Sequence, residues 1–156
     1  MQRMFYMLGF IAVLVAPNAM AQSSERMFIG GGGGILKHHG PNTDTGITGF
    51  GRLGKRIEGN VSWEADASLT LSDGKRGQQD WSVTSLAGYA VYRTNTPIQV
   101  KAKLGVALWD DDFDDDLSLA AGIGLGFRLG AGTLDVEFTQ INDHTDFVTV
   151  GFTVPF

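Results

Sequence analysis

The chain has 156 residues, a formal net charge of −5 at pH 7 and no cysteine. Its length suits a single domain, and its acidic balance argues against nucleic acid as a partner. Without cysteine, an exported domain has no disulfide framework, so its stability has to come from core packing, a closed sheet or a membrane.

The start of the chain has the features of a cleaved signal peptide. Arg3 supplies a positive start, residues 4–16 form an apolar run, and the Ala-Met-Ala at positions 19–21 has the small-x-small form of a signal-peptidase site. The apolar run is shorter than the ~20 residues that cross a bilayer as a helix, which argues against an uncleaved anchor. We predict a signal peptide over residues 1–21 and one exported domain over residues 22–156.

A run of five glycines, Gly30 to Gly34, follows the apolar start of this domain. No placement of these glycines gives the G-x-G-x-x-G pattern, and Lys37 does not follow the last of them directly, so a phosphate-binding loop is excluded. We interpret residues 27–36 as a strand that neighbouring strands approach closely. The sequence does not assign which parity of this strand faces outward.

Seven further segments alternate apolar and polar residues with the period of two that is typical of strands. The predicted strands are residues 45–57, 61–71, 81–93, 98–109, 117–129, 133–141 and 146–156. Turns at 58–60, 94–97 and 130–132 alternate with longer polar loops at 37–44, 73–80, 110–116 and 142–145. Strands of about ten residues can cross a bilayer when tilted. The pattern predicts an all-β fold, an eight-stranded antiparallel up-and-down transmembrane β-barrel.

The charged residues of the polar parity indicate which face of the barrel is enclosed. They are Arg52, Arg56, Glu64, Asp66, Lys101, Lys103, Arg128, Asp135 and Glu137. Their near balance of sign is what enclosed charges need, because an unpaired buried charge costs several kcal/mol. We predict that they form a lumen charge network and that the apolar parity meets lipid. A soluble periplasmic lipocalin-like binding barrel, apolar inside and charged outside, is the alternative.

The same alternation assigns the large side chains to the two faces. Girdles at the membrane interfaces are predicted from Trp63, Trp81, Tyr89, Phe127, Phe138 and Phe156. Phe50, Leu86, Tyr92 and Trp109 are expected to point into the lumen. Eight strands give a barrel that side chains normally fill, which excludes a wide pore, although inward glycines at 122, 124 and 126 would loosen the packing enough for a thin water path.

The end of the chain carries the most specific motif. Gly151, Val154 and Phe156 match the C-terminal assembly signal of outer-membrane barrels. With the strand pattern, this motif makes the whole exported part resemble the small eight-stranded outer-membrane β-barrel family (OmpA/OmpX-like, often labelled porin family). Val150, where a polar residue is usual, and Pro155, which removes a backbone donor, depart from the family pattern.

The resemblance implies a multi-pass barrel in the outer membrane of a Gram-negative bacterium, with both termini periplasmic and four loops facing outward. It also implies contact with outer-membrane lipid and lipopolysaccharide, and recognition of the C-terminal signal by the barrel-assembly machinery during insertion. We expect a monomer that uses no cofactor. We expect no peptidoglycan-binding domain after the barrel, so an OmpA-type anchoring role does not carry over.

The loop over residues 110–116 carries six carboxylates: Asp110, Asp111, Asp112, Asp114, Asp115 and Asp116. Hard cations take oxygen ligands, so a Ca²⁺ or Mg²⁺ site near lipopolysaccharide phosphates is one interpretation of this loop. The loop lacks the glycine and glutamate spacing of an EF-hand, and we favour a solvated acidic loop without a bound metal.

Closure of the barrel would bring the first and last loops together, and with them His38, His39, Asp143 and His144. This set would suit a metal or acid–base chemistry, but no recognisable ligand spacing supports it. A lipid A-modifying enzyme would need a serine beside a histidine, and residues 144–146 (His-Thr-Asp) offer none. We predict a structural, surface-interaction or minor permeability role without catalysis. A narrow channel for small solutes and a lipid A-modifying enzyme are the alternatives.

Overall fold

The computed structural model describes residues 27–39, 43–76, 78–111, 115–142 and 145–156. Ten strands are formed there: β1 (Met27–His38), β2 (Gly46–Glu58), β3 (Val61–Ser72), β4 (Gly74–Arg76), β5 (Gln79–Trp81), β6 (Val83–Arg93), β7 (Ile98–Asp111), β8 (Asp115–Leu129), β9 (Gly132–Asn142) and β10 (Thr145–Pro155). The predicted signal peptide lies outside the described residues and stays a prediction. Within these ranges, no helix has the length and apolar character needed to span a bilayer.

Eight of the strands form one closed barrel, and each is antiparallel to both of its neighbours. The order around the wall is β1, β2, β3, β6, β7, β8, β9 and β10, and β10 pairs back on β1. Closure leaves no unpaired strand edge in the barrel wall. The predicted eight-stranded up-and-down barrel is therefore confirmed.

The two ends of the barrel differ. At the turn end, tight connections join β2 to β3, β6 to β7 and β8 to β9. Gly59 and Gly130 lie in two of these turns with φ of 55° and 61°, a backbone conformation that glycine adopts at little cost. The chain also begins and finishes the barrel at the turn end, where the Phe156 backbone N–H donates to the Met27 carbonyl oxygen at 3.0 Å. The opposite end is termed the loop end.

Side-chain exposure alternates along the strands and separates an outward apolar face from an inward polar face. Leu104 and Leu119 are 62% and 77% exposed, whereas Glu64 and Lys101 are 1% exposed. An apolar exterior around a charged interior is the arrangement of a membrane barrel and the reverse of a lipocalin-like barrel.

Strand β6 has the opposite parity to the one predicted. Tyr89 is buried in the lumen, while Leu86 and Tyr92 are 57% and 51% exposed on the outside. The assignment of Trp81 and Tyr89 to girdles, and of Leu86 and Tyr92 to the lumen, was wrong. The physical reason is Arg93, which shares the parity of Tyr89 and whose carboxylate partners lie inside the barrel.

The even-numbered glycines of β1 face the lumen, because Phe28 and Leu36 of the same parity are buried. A Cβ built on Gly32 would overlap the Val150 carbonyl oxygen and the Gly151 Cα of β10. On the concave side of a narrow barrel, neighbouring strands converge and leave little room for a side chain at this seam. Glycine in β1 therefore permits the closing contact with β10.

Several predicted loops are shorter than the sequence indicated. β7 continues to Asp111 and β8 begins at Asp115, with Asp110 and Asp115 paired in register. β10 begins at Thr145, and the predicted loop at 73–80 contains the small antiparallel hairpin of β4 and β5. Strand pairing tolerates polar residues here, because the outer ends of these strands lie beyond the apolar band.

Candidate functional site in the barrel lumen

Eight charged side chains of the described residues meet near the middle of the lumen. They are contributed by β2, β3, β6, β7 and β9, and they comprise Arg52, Arg93, Lys101, Lys103, Glu64, Asp66, Asp135 and Glu137. Inward parity on each strand places them, since alternate residues of a strand face the same side. The formal charges of this lumen network cancel, four positive against four negative.

Arg52 bridges the two sides of the network. Its Nε and Nη2 donate to the two carboxylate oxygens of Asp66 at 2.7 and 2.8 Å. Its Nη2 also donates to Glu137 Oε2 at 2.9 Å, and its Nη1 donates to Glu137 Oε1. Because β2 and β9 are not neighbours in the wall, the contact between Arg52 and Glu137 spans the lumen. The planar guanidinium fork makes such paired contacts possible.

Two lysines of β7 complete the contacts of Glu137. Lys101 Nζ donates to Glu137 Oε1 at 2.7 Å and to Glu64 Oε2 at 2.5 Å. Lys103 Nζ lies 2.9 Å from Glu137 Oε2 and 3.4 Å from Asp66 Oδ2. Glu137 therefore contacts three cations, which is the compensation that a carboxylate 3% exposed requires.

Arg93 is the member of the network that sequence reasoning missed. Its Nη1 donates to Asp135 Oδ1 at 2.8 Å, and its Nη2 donates to Glu64 Oε1 at 2.9 Å. A signal was available, because Arg93 shares the parity of Ser85 and Tyr89 and an arginine on the lipid face is costly. The many apolar residues on the same parity of β6 nevertheless led to its assignment to the lipid face.

Arg56 and Arg128, which were predicted to belong to the network, lie apart from it. Both are exposed at the turn end, and no ion pair to either occurs among the described residues. Arg128 Nη2 donates to Asn95 Oδ1 at 2.6 Å instead. Their strands reach the barrel rim at these positions, so the side chains leave the enclosed part of the lumen. The other seven predicted residues are brought together.

An apolar layer fills the lumen between the network and the loop end. It consists of buried side chains that include Leu36, Trp81, Val83, Ile141 and Phe147, with Trp109 packed against them. A cavity of about 30 Å³ lined in part by Phe50, Tyr89 and Lys103 remains beside the network. That volume holds about two water molecules. The interior is therefore filled over both its charged and its apolar layers.

The inward glycines of β8 lie close against charged side chains, whereas the sequence suggested that they loosen the packing. A Cβ on Gly122 would lie 2.8 Å from Lys103 Cε, and a Cβ on Gly124 would lie 2.8 Å from Glu137 Cγ. A Cβ on Gly126 would lie 2.9 Å from Asp135 Oδ1. These glycines make room for the long charged side chains of the lumen network.

Pairing of β1 with β10 places two histidines at the end of β1 beside the first residues of β10, at the loop end. His39 Nε2 lies 2.6 Å from Asp146 Oδ2, and His38 Nδ1 lies 3.3 Å from Thr145 Oγ1. Asp143 and His144 of the predicted cluster lie outside the described residues. In the part of the chain that the structure describes, no group of three or more His, Cys, Asp or Glu side chains is arranged to hold a metal.

The acidic loop stays a prediction. Asp110 is exposed. Asp112 and Asp114 lie outside the described residues, and nothing is shown of the side chains of Asp111, Asp115 and Asp116.

Of the predicted assembly signal, Gly151 and Val154 lie in the turn-end half of β10, and Phe156 follows the strand directly. Gly151 faces the lumen, where a Cβ would lie 2.5 Å from the Phe50 ring. Val154 and Phe156 are each 37% exposed, as is expected for positions on the lipid side. Pro155 pairs in register with Phe28 at the rim, where the lost backbone donor costs least.

Comparison with known proteins identifies the family. The sequence matches the outer membrane protein beta-barrel domain over residues 7–156. The chain belongs to this family. No curated protein matches the sequence significantly.

Solved structures of this kind share the fold. Neisserial surface protein A is 17% identical with a TM-score of 0.62, and the match covers 83% of this chain and 97% of that chain. Ail of Yersinia pestis in complex with the heparin analogue sucrose octasulfate is 16% identical with a TM-score of 0.58, covering 84% and 97%. OprG of Pseudomonas aeruginosa is 14% identical with a TM-score of 0.58, covering 85% and 97%. Family and fold together place this family member in the outer membrane of a Gram-negative bacterium.

Proposed function

We propose that the protein is a non-catalytic, sealed outer-membrane barrel that serves as a structural support and presents its loop end for surface interactions. The observation that carries this proposal is the filled lumen, in which a neutral ion-pair layer is stacked on an apolar layer. A barrel filled in this way offers no continuous path for a solute. Its activity would then reside in what its ends contact, chiefly lipid, lipopolysaccharide and molecules outside the cell.

Reconstitution into planar lipid bilayers tests this proposal. We expect no discrete conductance steps from the purified, folded protein, because ions would have to displace both Arg52 from its carboxylates and Trp81 from its apolar neighbours. A general porin reconstituted in the same bilayers provides the positive control. Regular single-channel steps from the folded protein would contradict the sealed barrel and support the narrow-channel alternative.

Catalysis is not favoured by the geometry of the loop end. Thr145, whose hydroxyl lies 3.3 Å from His38 Nδ1, is 2% exposed and therefore withdrawn from an external substrate. His39 is engaged with Asp146, and this pair has no nucleophile in contact with it among the described residues. A lipid A-modifying enzyme needs a nucleophile–base pair open to lipid, and neither the contact of His38 with Thr145 nor that of His39 with Asp146 provides one.

We also propose an orientation in which the turn end is periplasmic and the loop end is extracellular. The short connections of the turn end and the longer segments of the loop end follow the asymmetry of outer-membrane barrels. The loop end carries Asp44, Asp80, Asp110 and Asp146. Ail was crystallised with a heparin analogue, but an acidic loop end would repel a sulfated polymer, so we do not extend that ligand to this chain.

We propose that the barrel-assembly machinery recognises the C-terminal strand, and deletion of Phe156 tests this. We expect a several-fold lower amount of protein in the outer membrane, with little change in the stability of the barrel once it is refolded in detergent. The reason is that Phe156 is 37% exposed and its backbone contributes one hydrogen bond, to Met27. Membrane fractionation and boiled-against-unboiled gel migration measure the two quantities.

Phe152→Leu is the matched control for this deletion. Phe152 is an outward aromatic residue of β10, 42% exposed, that does not end the chain. We expect its outer-membrane level to stay near that of the wild type. A truncated protein at normal membrane levels would show that Phe156 is not part of the signal.

A further inference from the structure

The turn end of the lumen opens into a vestibule of about 270 Å³ that the lumen network does not fill. Its wall includes the three arginines Arg56, Arg93 and Arg128, which also line an adjoining recess of about 80 Å³. These three residues are termed the arginine mouth. A space of this size holds several water molecules or one small polyatomic anion.

The partners of the arginine mouth leave two guanidinium charges uncompensated. Arg93 is committed to the network through Glu64 and Asp135. Among the described residues, the partners of Arg128 are neutral: Asn95 at 2.6 Å and, in the amide orientation that satisfies Gln99, the Gln99 oxygen at 2.9 Å from Arg128 Nε.

Arg56 makes no ion pair with any residue of the described ranges. Arg56 and Arg128 therefore both bring unneutralised charge to the wall of the vestibule.

The negative charge of the whole protein does not cancel this local excess. Asp44, Asp80, Asp110 and Asp146 lie at the loop end, across an apolar band that is about 25 Å tall in barrels of this kind. The Debye length is about 8 Å at physiological ionic strength, so their field is screened before it reaches the turn end. Glu58, at the end of β2, forms no ion pair among the described residues.

We propose that the arginine mouth binds a phosphate group that enters from the compartment at the turn end. Guanidinium groups form short, charge-assisted hydrogen bonds with phosphate oxygens, which suits the fork of Arg56 and the Nη1 group of Arg128 that Asn95 and Gln99 do not use. A phosphate monoester carries a charge of about −1.5 to −2 at pH 7, which matches two uncompensated guanidiniums better than the single charge of a carboxylate does. Arg93 sets the floor of the site and is held in place by the network.

Titration of the folded protein with inorganic phosphate in a phosphate-free maltoside detergent tests the proposal. Side-chain Nε resonances of arginine report binding by nuclear magnetic resonance. We expect saturable shifts for Arg56 and Arg128 in the wild type. The double variant Arg56→Gln/Arg128→Gln is expected to bind phosphate at least tenfold more weakly, while Arg56→Lys/Arg128→Lys, which keeps the charge but loses the forks, should fall between the two.

The matched control removes two cations elsewhere. Lys55→Gln/Lys75→Gln takes one charge from the outer rim near the mouth and one from the loop-end hairpin, and we expect phosphate affinity to remain within twofold of the wild type. Heat-modifiable gel migration verifies that each variant is folded. Shifts that never saturate would overturn a defined site in favour of a diffuse electrostatic field. A loss of affinity in Lys55→Gln/Lys75→Gln as large as that in Arg56→Gln/Arg128→Gln would do the same.

Other anions identify the chemistry that the site takes. Acetate should bind at least several-fold more weakly than phosphate, and acetate binding as tightly as phosphate would overturn the assignment to phosphate. Glycerol 3-phosphate separates two sources of the group. Affinity equal to that of inorganic phosphate supports recognition of an esterified phosphate such as a headgroup, whereas much weaker affinity supports a free phosphate ion as the ligand.

Discussion

Glu137→Ala is expected to lower the free energy of unfolding by about 3–5 kcal/mol, the cost of breaking a buried ion pair by removing one partner. Glu137 contacts Arg52, Lys101 and Lys103, which are all buried. The variant leaves four cations and three carboxylates in the network. The excess positive charge is then enclosed in a packed lumen, where little solvent reaches it to offset the lost ion pairs.

Urea-induced unfolding of the protein in lipid vesicles measures this change. Glu58→Ala is the matched control, because Glu58 is an exposed glutamate of the turn end without an ion pair among the described residues, and we expect a change below about 0.5 kcal/mol there. The double variant Lys103→Met/Glu137→Met removes one charge of each sign and should be more stable than Glu137→Ala. Equal stability of Glu137→Ala and the wild type would mean that the lumen is hydrated enough to make its ion pairs unimportant.

Gly32→Ala is expected to disrupt closure of the barrel, with a loss of about 3 kcal/mol or more in the free energy of unfolding. The added Cβ would overlap backbone atoms of Val150 and Gly151 in β10, and backbone cannot move aside as a side chain can. The register of Gly32 opposite Gly151 would have to shift or separate. Loss of the heat-modifiable band, together with unfolding in vesicles, measures the effect.

Gly51→Ala provides the control for this substitution. Gly51 lies on the outward face of the neighbouring strand β2, where an added Cβ meets no atom within 4 Å. The same chemical change should therefore leave stability and heat-modifiable migration near those of the wild type. If Gly32→Ala and Gly51→Ala behaved alike, the close approach of β1 and β10 at Gly32 would not limit closure.

The fold could be predicted from the sequence because the strands of a membrane barrel alternate apolar and polar residues with a period of two. Val148 and Val150 alternate with Thr149 and Gly151 without interruption, and the exposed fractions follow that order. In strand β6, alternation does not reveal which face meets lipid. Both of its faces carry apolar residues, since its inner face packs partly into the apolar layer, so hydrophobicity alone does not distinguish lipid from interior. The single arginine at its end, Arg93, held the missing information.

The lumen network was only partly accessible for a geometric reason. Parity assigns a residue to the inner face, but depth along the barrel axis decides whether its side chain is enclosed. Arg52 and Arg56 share the parity of β2, yet only Arg52 reaches carboxylates, because Arg56 lies at the rim. Depth depends on how strongly neighbouring strands are staggered, and that stagger is set by the whole closed sheet. The pairing of Arg52 with Glu137 across the lumen therefore required the three-dimensional structure.

The order of the charged residues along the chain means that the lumen network becomes neutral only when β9 has joined the barrel wall. The strands β2 to β7 contribute Arg52, Arg93, Lys101 and Lys103 but only two of the carboxylates, whereas Asp135 and Glu137 arrive later on β9. A partly assembled sheet that ended at β7 would therefore carry a net charge of +2 on its concave side. We expect that side to stay hydrated, because unpaired charges are costly to bury. We therefore expect water to leave the interior when β9 joins the wall, because β9 supplies Asp135 and Glu137, the last two carboxylates of the network.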